Sequence, residues 1–364
     1  MEQTSQREIR AIDPTWTIAD ITARLAEALA GEGPAISLGP ISSKVVPSEI
    51  SLVVSTSGST GDAKEVGLSA DAIFASARAT NKFFGASAGQ TWSLLLPLTH
   101  IAGINVLVRA LELGTVPMDA RGIAGKYPDA DYTAIVPTQL FRALNGDADL
   151  LAHLLSAKSV LVGGAALQKK LGEQARTAGI NIVESYGMTE TCGGCVYDGL
   201  PIGDTSVEIN KDGLIKISTA SLATTYLNDA SGWSSKLENG YFLTSDLGEI
   251  KDGKLTVTGR ADDVIVTGGE NISLTKVEEV VRNAFAGIEC AAFAIADQQW
   301  GQALHLAIAG SVKPDQSAIN EALSAQISVA AKIKRAIYLD QMPRTALDKV
   351  DRQELVNIAS REGR

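Results

Sequence analysis

The sequence predicts an α/β chain that carries a small antiparallel sheet and ends in a compact α+β domain. Three observations carry this. Up to about residue 200, short apolar runs alternate with amphipathic stretches, the grammar of a parallel sheet covered by helices. Beyond that point the runs alternate in polarity around Asp-Gly turns, which is a hairpin signal. From Gly259 onward, helical and strand patterns mix over roughly 100 residues, an ordinary domain length.

In order, residues 17–30 read as an amphipathic helix closed by Gly31, with Ile18, Ile21, Leu25 and Leu29 on one face. Met1 to Arg10 is polar and charged and shows no export signal. Ile50 to Val54 reads as a buried strand, and Ser69 as the N-cap of a helix over 69–84. Between them lies Ser55-Thr56-Ser57-Gly58-Ser59-Thr60-Gly61-Asp62-Ala63-Lys64. Strand, glycine- and hydroxyl-rich loop, lysine and helix together make a phosphate-binding arrangement, since glycines let backbone N–H groups approach an anion. It is not a Walker A loop, and alone it could be a Ser/Gly linker. Strands follow at Trp92–Pro97, Thr133–Pro137, Ser159–Val162 and Asn181–Glu184. Helices follow at Ile101–Leu113, after Pro137 with Thr138 as cap, and at Leu167–Ala178. Ligands of such sheets sit at the carboxyl ends of the strands. Hairpins are expected around Asp212-Gly213 and Asp252-Gly253. The last part reads as a helix at 273–286, strands at 290–296, 304–309 and 336–339, and helices at 317–330 and 352–360.

Hydrophobic residues make up 45% of the 364, enough for sizeable cores, and the net charge is −10. The acidic balance argues against general binding to nucleic acid or an anionic membrane, and no apolar run is long enough to span a bilayer. Three cysteines fit a reduced, cytoplasmic setting. Cys192-Gly193-Gly194-Cys195 has the spacing of a redox or zinc half-site, but no second pair exists, so it reads as small residues in a pocket wall.

Four more stretches carry chemistry. Tyr186-Gly187-Met188-Thr189-Glu190-Thr191 reads as a loop after a strand, offering a flat ring, a hydroxyl and a hard oxygen for Mg²⁺. Thr244-Ser245-Asp246 places a carboxylate at a strand end. Gly259-Arg260-Ala261-Asp262-Asp263 runs on to Val266-Thr267-Gly268-Gly269-Glu270-Asn271-Ile272. Pro343 to Arg352 contains Lys349. Singly, each has a bland reading as a turn or as solvated charge. In this order, over residues 50 to 352, they resemble the adenylate-forming superfamily of acyl-CoA synthetases, luciferases and peptide-synthetase adenylation domains. Leu96-Pro97-Leu98-Thr99-His100-Ile101-Ala102-Gly103, continuing to Leu111, with Ile135 to Leu140, is similar to the short bacterial o-succinylbenzoate–CoA ligases of menaquinone synthesis.

The resemblance implies a two-step ligase using ATP, Mg²⁺ and coenzyme A. An acid attacks the α-phosphate to give acyl-AMP, and the CoA thiol then displaces AMP. By the same resemblance, Thr56, Ser57, Gly58, Ser59, Thr60, Gly61 and Lys64 hold the pyrophosphate portion. Thr189 touches the α-phosphate and Glu190 binds Mg²⁺. Tyr186 stacks on adenine beside Gly164-Ala165, while Asp246 and Arg260 hold the ribose. Lys349 is the mobile catalytic lysine, and Gly268-Gly269 lines the pantetheine path. Asp262 is the hinge between a domain of residues 1–258 and a mobile domain of residues 259–364. His100, Gly163, Gly164, Ser185, Gly187 and Thr191 are expected near the acid, whereas His153 and His305 read as structural. No residue is identified for a second substrate carboxylate. Three positions depart from the family pattern. Ala63 stands for a usual proline, which would loosen the loop, Ser245 for a glycine, and Asp348 for a glycine beside Lys349. A ligase for another aryl or short acyl acid, an inactive nucleotide-binding relative and a thiol redox protein remain as alternatives, and a homodimer is left open.

Overall fold

The computed structural model describes residues 5–56, 63–344 and 350–362. The chain divides into two compact units. The first comprises Met1–Asn210, Ile215–Thr244 and Ile250–Thr256; the second comprises Lys211–Leu214, Ser245–Glu249 and Val257–Arg364.

The first unit holds a six-stranded and a seven-stranded sheet. The six-stranded sheet runs in the order Thr225–Tyr226, Lys64–Ser69, Ile50–Thr56, Ala35–Leu38, Gln6–Ala11 and Val45–Pro47. Its Gln6–Ala11 strand lies in the polar N-terminal stretch, where the sequence reading named no element: Ile9, Arg10 and Ala11 pair with Ala35, Ile36 and Ser37. Arg10 and its polar neighbours face outward on a strand near the sheet's edge, so no apolar pattern announces it. The helix Ile18–Ala30 starts at Thr17, which accepts from the Asp20 N–H while Asp20 accepts from that of Thr17. It ends at Gly31 with φ 78°, and Leu25 and Ala28 are buried.

The seven-stranded sheet runs Leu200–Pro201, Gly193–Tyr197, Ile182–Met188, Ser159–Val162, Tyr132–Ile135, Trp92–Leu94 and Met118–Asp119. Its pairings from Ile182–Met188 to Met118–Asp119 are parallel, as the alternating grammar requires. Both faces are covered. One core contains Leu52, Val54, Ile73, Leu94, Ile104 and Tyr197, drawn from both sheets and the helices Ala70–Phe83 and Ile101–Glu112. The opposite core contains Leu140, Leu150, Leu154, Val160 and Ala175. Burial on both sides explains why these strands read as unbroken apolar runs. Trp92 is fully buried, tilted against Tyr132, with its indole N–H donating to Asn81 Oδ1 at 3.2 Å.

One local expectation is corrected and one element is added. The helix starts after the Ser69 cap as expected, but a strand absent from the sequence reading precedes it. Lys64 begins a return strand, Lys64–Ser69, in which Thr56 faces Lys64 and Ile50 faces Ser69. The helix therefore starts at the far end of the hairpin, and its N-terminus does not serve the loop. The helix Pro137–Leu144 is not capped by Thr138. Pro137 occupies the first helical position, where its missing N–H costs nothing, and Gln139 Oε1 takes the Val136 N–H at 3.0 Å.

A third sheet, Ser206–Ile209, Leu214–Ser218, Tyr241–Lys251 and Leu237–Glu238 with Lys254–Arg260 beside Tyr241–Lys251, is antiparallel as expected. Asp252 and Gly253 both have positive φ, 50° and 74°, matching the twist of a two-residue hairpin. Residues of this sheet belong to both units.

In the second unit, Glu270–Ser273, Val264–Thr267, Gly301–Ala309, Glu289–Asp297 and Arg335–Leu339 form one sheet. Leu274–Ala284 and Gln316–Gln326 contribute to one core with Leu304 and Ile308, and Arg352–Glu362 contributes to another with Phe293 and Ile337. Among the described residues, no helix is long and apolar enough to cross a membrane.

Candidate active site

In the first unit the chemistry gathers around a turn and a hairpin. Tyr186, Gly187 and Met188 are not in a loop. They extend the strand Ile182–Met188, which pairs antiparallel with Gly193–Tyr197. The close approach of these strands demands glycine at 187, because a Cβ there would lie 2.0 Å from the Gly193 carbonyl oxygen. One turn of 3₁₀ helix, Thr189–Thr191, joins the strands. Cys192 ends it at φ 51°, a conformation a residue with a Cβ seldom adopts. Two buried side chains hold it there: Asn105 Nδ2 and Ser76 Oγ both donate to the Cys192 carbonyl at 2.8 Å. Thr191, expected near the acid, is fully buried. Its hydroxyl accepts from the Met188 N–H at 2.9 Å and donates to the Gly193 carbonyl at 2.7 Å, so it braces the turn instead.

That turn presents Thr189 and Glu190, both half-buried. Glu190 Oε1 accepts a hydrogen bond of 2.8 Å from the Tyr226 hydroxyl, and the Glu190 carbonyl accepts one of 2.8 Å from the Ala223 N–H. Tyr226 is 1% exposed. Its ring lies 4.6 Å from the Lys64 ammonium, so the metal-type carboxylate and the phosphate-type cation meet on one phenol. Asn228 ties the loop's exit, donating to the Ala63 carbonyl at 2.7 Å and accepting from the Glu65 N–H at 3.0 Å. This is a brace at the position where a family proline is missing. Ser57, Gly58, Ser59, Thr60 and Gly61 lie outside the described residues.

The remaining acid-pocket candidates fall on neighbouring elements. Gly163 follows the strand Ser159–Val162, and a Cβ there would lie 3.3 Å from Ser185 Cβ. Gly164, at φ 80°, and Ala165 form a bend just after that strand. His100 stands half-buried at the start of the helix Ile101–Glu112, its Nδ1 2.9 Å from Thr99 Oγ1. His153 is buried against Ser93 Oγ at 2.8 Å, and His305 stacks on Phe293; both are structural. The three cysteines are unpaired and buried. Burial pushes the thiols of Cys192 and Cys195 up to about 12, so neither carries a thiolate at neutral pH, and the redox reading loses its nucleophile.

In the second unit Arg260 is a junction. Its guanidinium donates to both oxygens of Asp262, at 2.7 and 2.6 Å, and to Asp246 Oδ1 at 3.2 Å. The bond to Asp262 is the main reason its pKa is raised. Gly268 and Gly269, at φ 59° and 83°, form the two-residue turn between Val264–Thr267 and Glu270–Ser273. Lys349 lies outside the described residues. The chain on either side is anchored: Arg344 and Val350 form a bridge, and the Asp351 N–H donates to the Pro343 carbonyl at 2.9 Å.

No cluster of three or more His, Cys, Asp or Glu able to hold a metal occurs among the described residues. A single partly buried carboxylate, Glu190, fits Mg²⁺ that keeps waters and takes its other ligands from phosphate oxygens.

Residues 3–215 match the family model of AMP-binding enzymes. The chain belongs to that family. This AMP-binding enzyme is 36% identical over 329 residues to a probable 2-succinylbenzoate–CoA ligase of Mycobacterium tuberculosis (strain CDC 1551 / Oshkosh), covering 85% of each chain. It is 31% identical over 265 residues to the 2-succinylbenzoate–CoA ligase of Escherichia coli K12, covering 70% of this chain and 57% of that one. Its fold is that of the o-succinylbenzoate CoA synthetase of Bacillus subtilis solved with the acyl-adenylate intermediate OSB-AMP. The TM-score is 0.75 at 22% identity, over 95% of this chain and 82% of that one.

Sequence reasoning missed Tyr226, Asn105, Ser76 and Asn228. Each acts on residues between 36 and 165 positions away, and no local pattern joins Tyr226 to Glu190 or Asn105 to Cys192.

Proposed function

We propose that this enzyme joins 2-succinylbenzoate to coenzyme A in an ATP-dependent, AMP-forming reaction through an acyl-adenylate. The observation that carries this reading is the 36% identity to the mycobacterial ligase over 85% of both chains. ATP, Mg²⁺ and CoA are the implied cofactors, and the fold and the placement of Glu190, Tyr186 and Lys64 support them.

In the first half-reaction a carboxylate meets a polyphosphate, so the site must supply positive charge and hydrogen-bond donors at the phosphates. Lys64 and the Thr56–Gly61 loop take the pyrophosphate portion, and Thr189 offers its hydroxyl to the α-phosphate. Glu190 holds Mg²⁺, which neutralises phosphate charge when bound. Tyr186 offers its ring to adenine beside Gly164-Ala165, and Asp246 with Arg260 takes the ribose. Lys349 supplies the charge at the reacting oxygens. His100, Gly163, Ser185 and Gly187 border the acid. The second half-reaction, attack of the CoA thiol, uses Gly268-Gly269 along the pantetheine. Lys349 and these glycines serve different steps, so residues 259–364 act as a mobile domain with Asp262 as hinge.

ATP–pyrophosphate exchange across a panel of acids tests the assignment. Exchange with 2-succinylbenzoate that exceeds exchange with benzoate or acetate by at least about 100-fold is the expected outcome, since a site built for a polar group rejects analogues that lack it. Exchange with benzoate alone would reassign the acid, and exchange with none would reduce the chain to a nucleotide-binding relative.

A further inference from the structure

The buried phenol of Tyr226 lies in none of the stretches singled out in the sequence, yet it touches Glu190 and Lys64. It sits in the short strand Thr225–Tyr226, paired with Lys64–Ser69 so that Tyr226 faces Val66. Three backbone bonds fix this strap. The Ala223 N–H donates to the Glu190 carbonyl at 2.8 Å, the Thr224 N–H to the Gly67 carbonyl at 2.9 Å and the Leu227 N–H to the Glu65 carbonyl at 2.8 Å. The ring is held edge-on by Trp233 at 5.1 Å, and Trp233 stacks on Phe242 at 5.0 Å. The hydroxyl therefore points at Glu190 Oε1, 2.8 Å away, from a rigid base.

A glutamate side chain has three rotatable bonds and loses substantial entropy when fixed. One strong donor on Oε1 restricts that freedom and fixes one end of the carboxylate. From this geometry we infer that Tyr226 is a positioning residue: its hydroxyl holds the Glu190 carboxylate in the orientation that receives the divalent cation of the nucleotide. The inference rests on the proposed role of Glu190 in metal binding. It assigns Tyr226 no contact with substrate or metal. Partners of ligating carboxylates typically shift metal affinity by about 10- to 100-fold when removed. Tyr226→Phe deletes one oxygen and leaves the ring, and with it the Trp233 contact and the apolar floor under Lys64.

The test uses the full chain with ATP and Mn²⁺, following free Mn²⁺ by its electron paramagnetic resonance signal. Wild type should hold Mn²⁺ in the ternary complex. Tyr226→Phe should hold it about 10-fold more weakly or worse, with an unchanged circular-dichroism spectrum. The Mg²⁺ concentration that half-saturates ATP–pyrophosphate exchange should rise by a similar factor. Glu190→Gln supplies the control: combined with Tyr226→Phe, it should bind Mn²⁺ no more weakly than Glu190→Gln alone. A Tyr226→Phe protein that binds Mn²⁺ as wild type does, or losses that add in the double variant, would overturn the inference. Wild type and Glu190→Gln binding Mn²⁺ equally would instead sink the metal role of Glu190.

Discussion

At the scale of the residue, burial decides what a side chain can do here. Arg109 shows the cost of burying charge. It is 2% exposed, its guanidinium lies 5.0 Å from the Trp92 ring, and desolvation lowers its pKa. His153 shows the same physics in a titratable range. Burial is the largest cause that lowers its pKa in the folded state, so the imidazole stays neutral there while the unfolded chain protonates near pH 6.5. The folded form binds fewer protons, and stability is lost as pH falls below about 6.5 towards the lower folded value. His305 shifts in the same direction, through desolvation and then through Arg335 and Lys334. Urea denaturation between pH 7.5 and 5 should show stability falling, and His153→Gln should reduce the slope by up to about one proton. An unchanged slope in that variant would mean His153 titrates as it does in water.

At the scale of the element, legibility followed the range of the interaction. The helix over residues 18–30, the Ser69 cap and the Asp252-Gly253 hairpin were all readable, because each is set by neighbours within a few residues. The Lys64–Ser69 return strand was not. Its residues face Ile50–Thr56 across a loop, and glycine-rich loops lead to strands as readily as to helices. The continuation of the Ile182 strand through Met188 was hidden for a related reason: it exists because Gly187 and Gly194 let a second strand come close, and that partner lies beyond the turn. The motifs naming Tyr186, Glu190 and Lys64 were legible as a family pattern, whereas the Asn105 and Tyr226 braces depend on the fold alone. The same logic picks out Glu278 in the second unit. It is buried on the helix Leu274–Ala284 and accepts from Arg352 Nη2 and from the Ala292 N–H, both at 2.9 Å. Arg352 also donates to the Ala292 carbonyl at 3.0 Å, three residues after Lys349. Glu278→Gln keeps the shape but replaces a charge-assisted bond, and should cost about 1–2 kcal/mol in a denaturant titration, because the Arg352 side chain is still 38% exposed. It should slow acyl-adenylate formation more than CoA transfer, since Arg352 follows Lys349 by three residues and is the proposed lysine's nearest fixed arginine in sequence. Equal slowing of both steps would separate that arginine from adenylation.

At the scale of the whole molecule, one chain must perform two half-reactions with different demands. Adenylation gathers anions and needs an added cation at the reacting oxygens; thioester formation needs a path for a long thiol and no further charge. Lys349 and the Gly268-Gly269 turn both belong to the second unit, and the proposed function gives each a different step. Asp348 precedes Lys349 in the sequence, and a carboxylate there would slow adenylation. The division of labour is open to direct measurement. Lys349→Ala should lose about 10²–10³ in the rate of 2-succinylbenzoate-dependent pyrophosphate exchange, the scale of removing one group that stabilises developing charge. Supplied with chemically prepared acyl-adenylate, the same variant should pass the acyl group to CoA within a few-fold of wild type. Both rates falling together would place the lysine in a role common to the two steps, and the proposed mobility of residues 259–364 would lose its motive. Replacing Asp348 by glycine in the otherwise intact enzyme should raise the adenylation rate without altering acyl transfer, because only the first step responds to charge near Lys349.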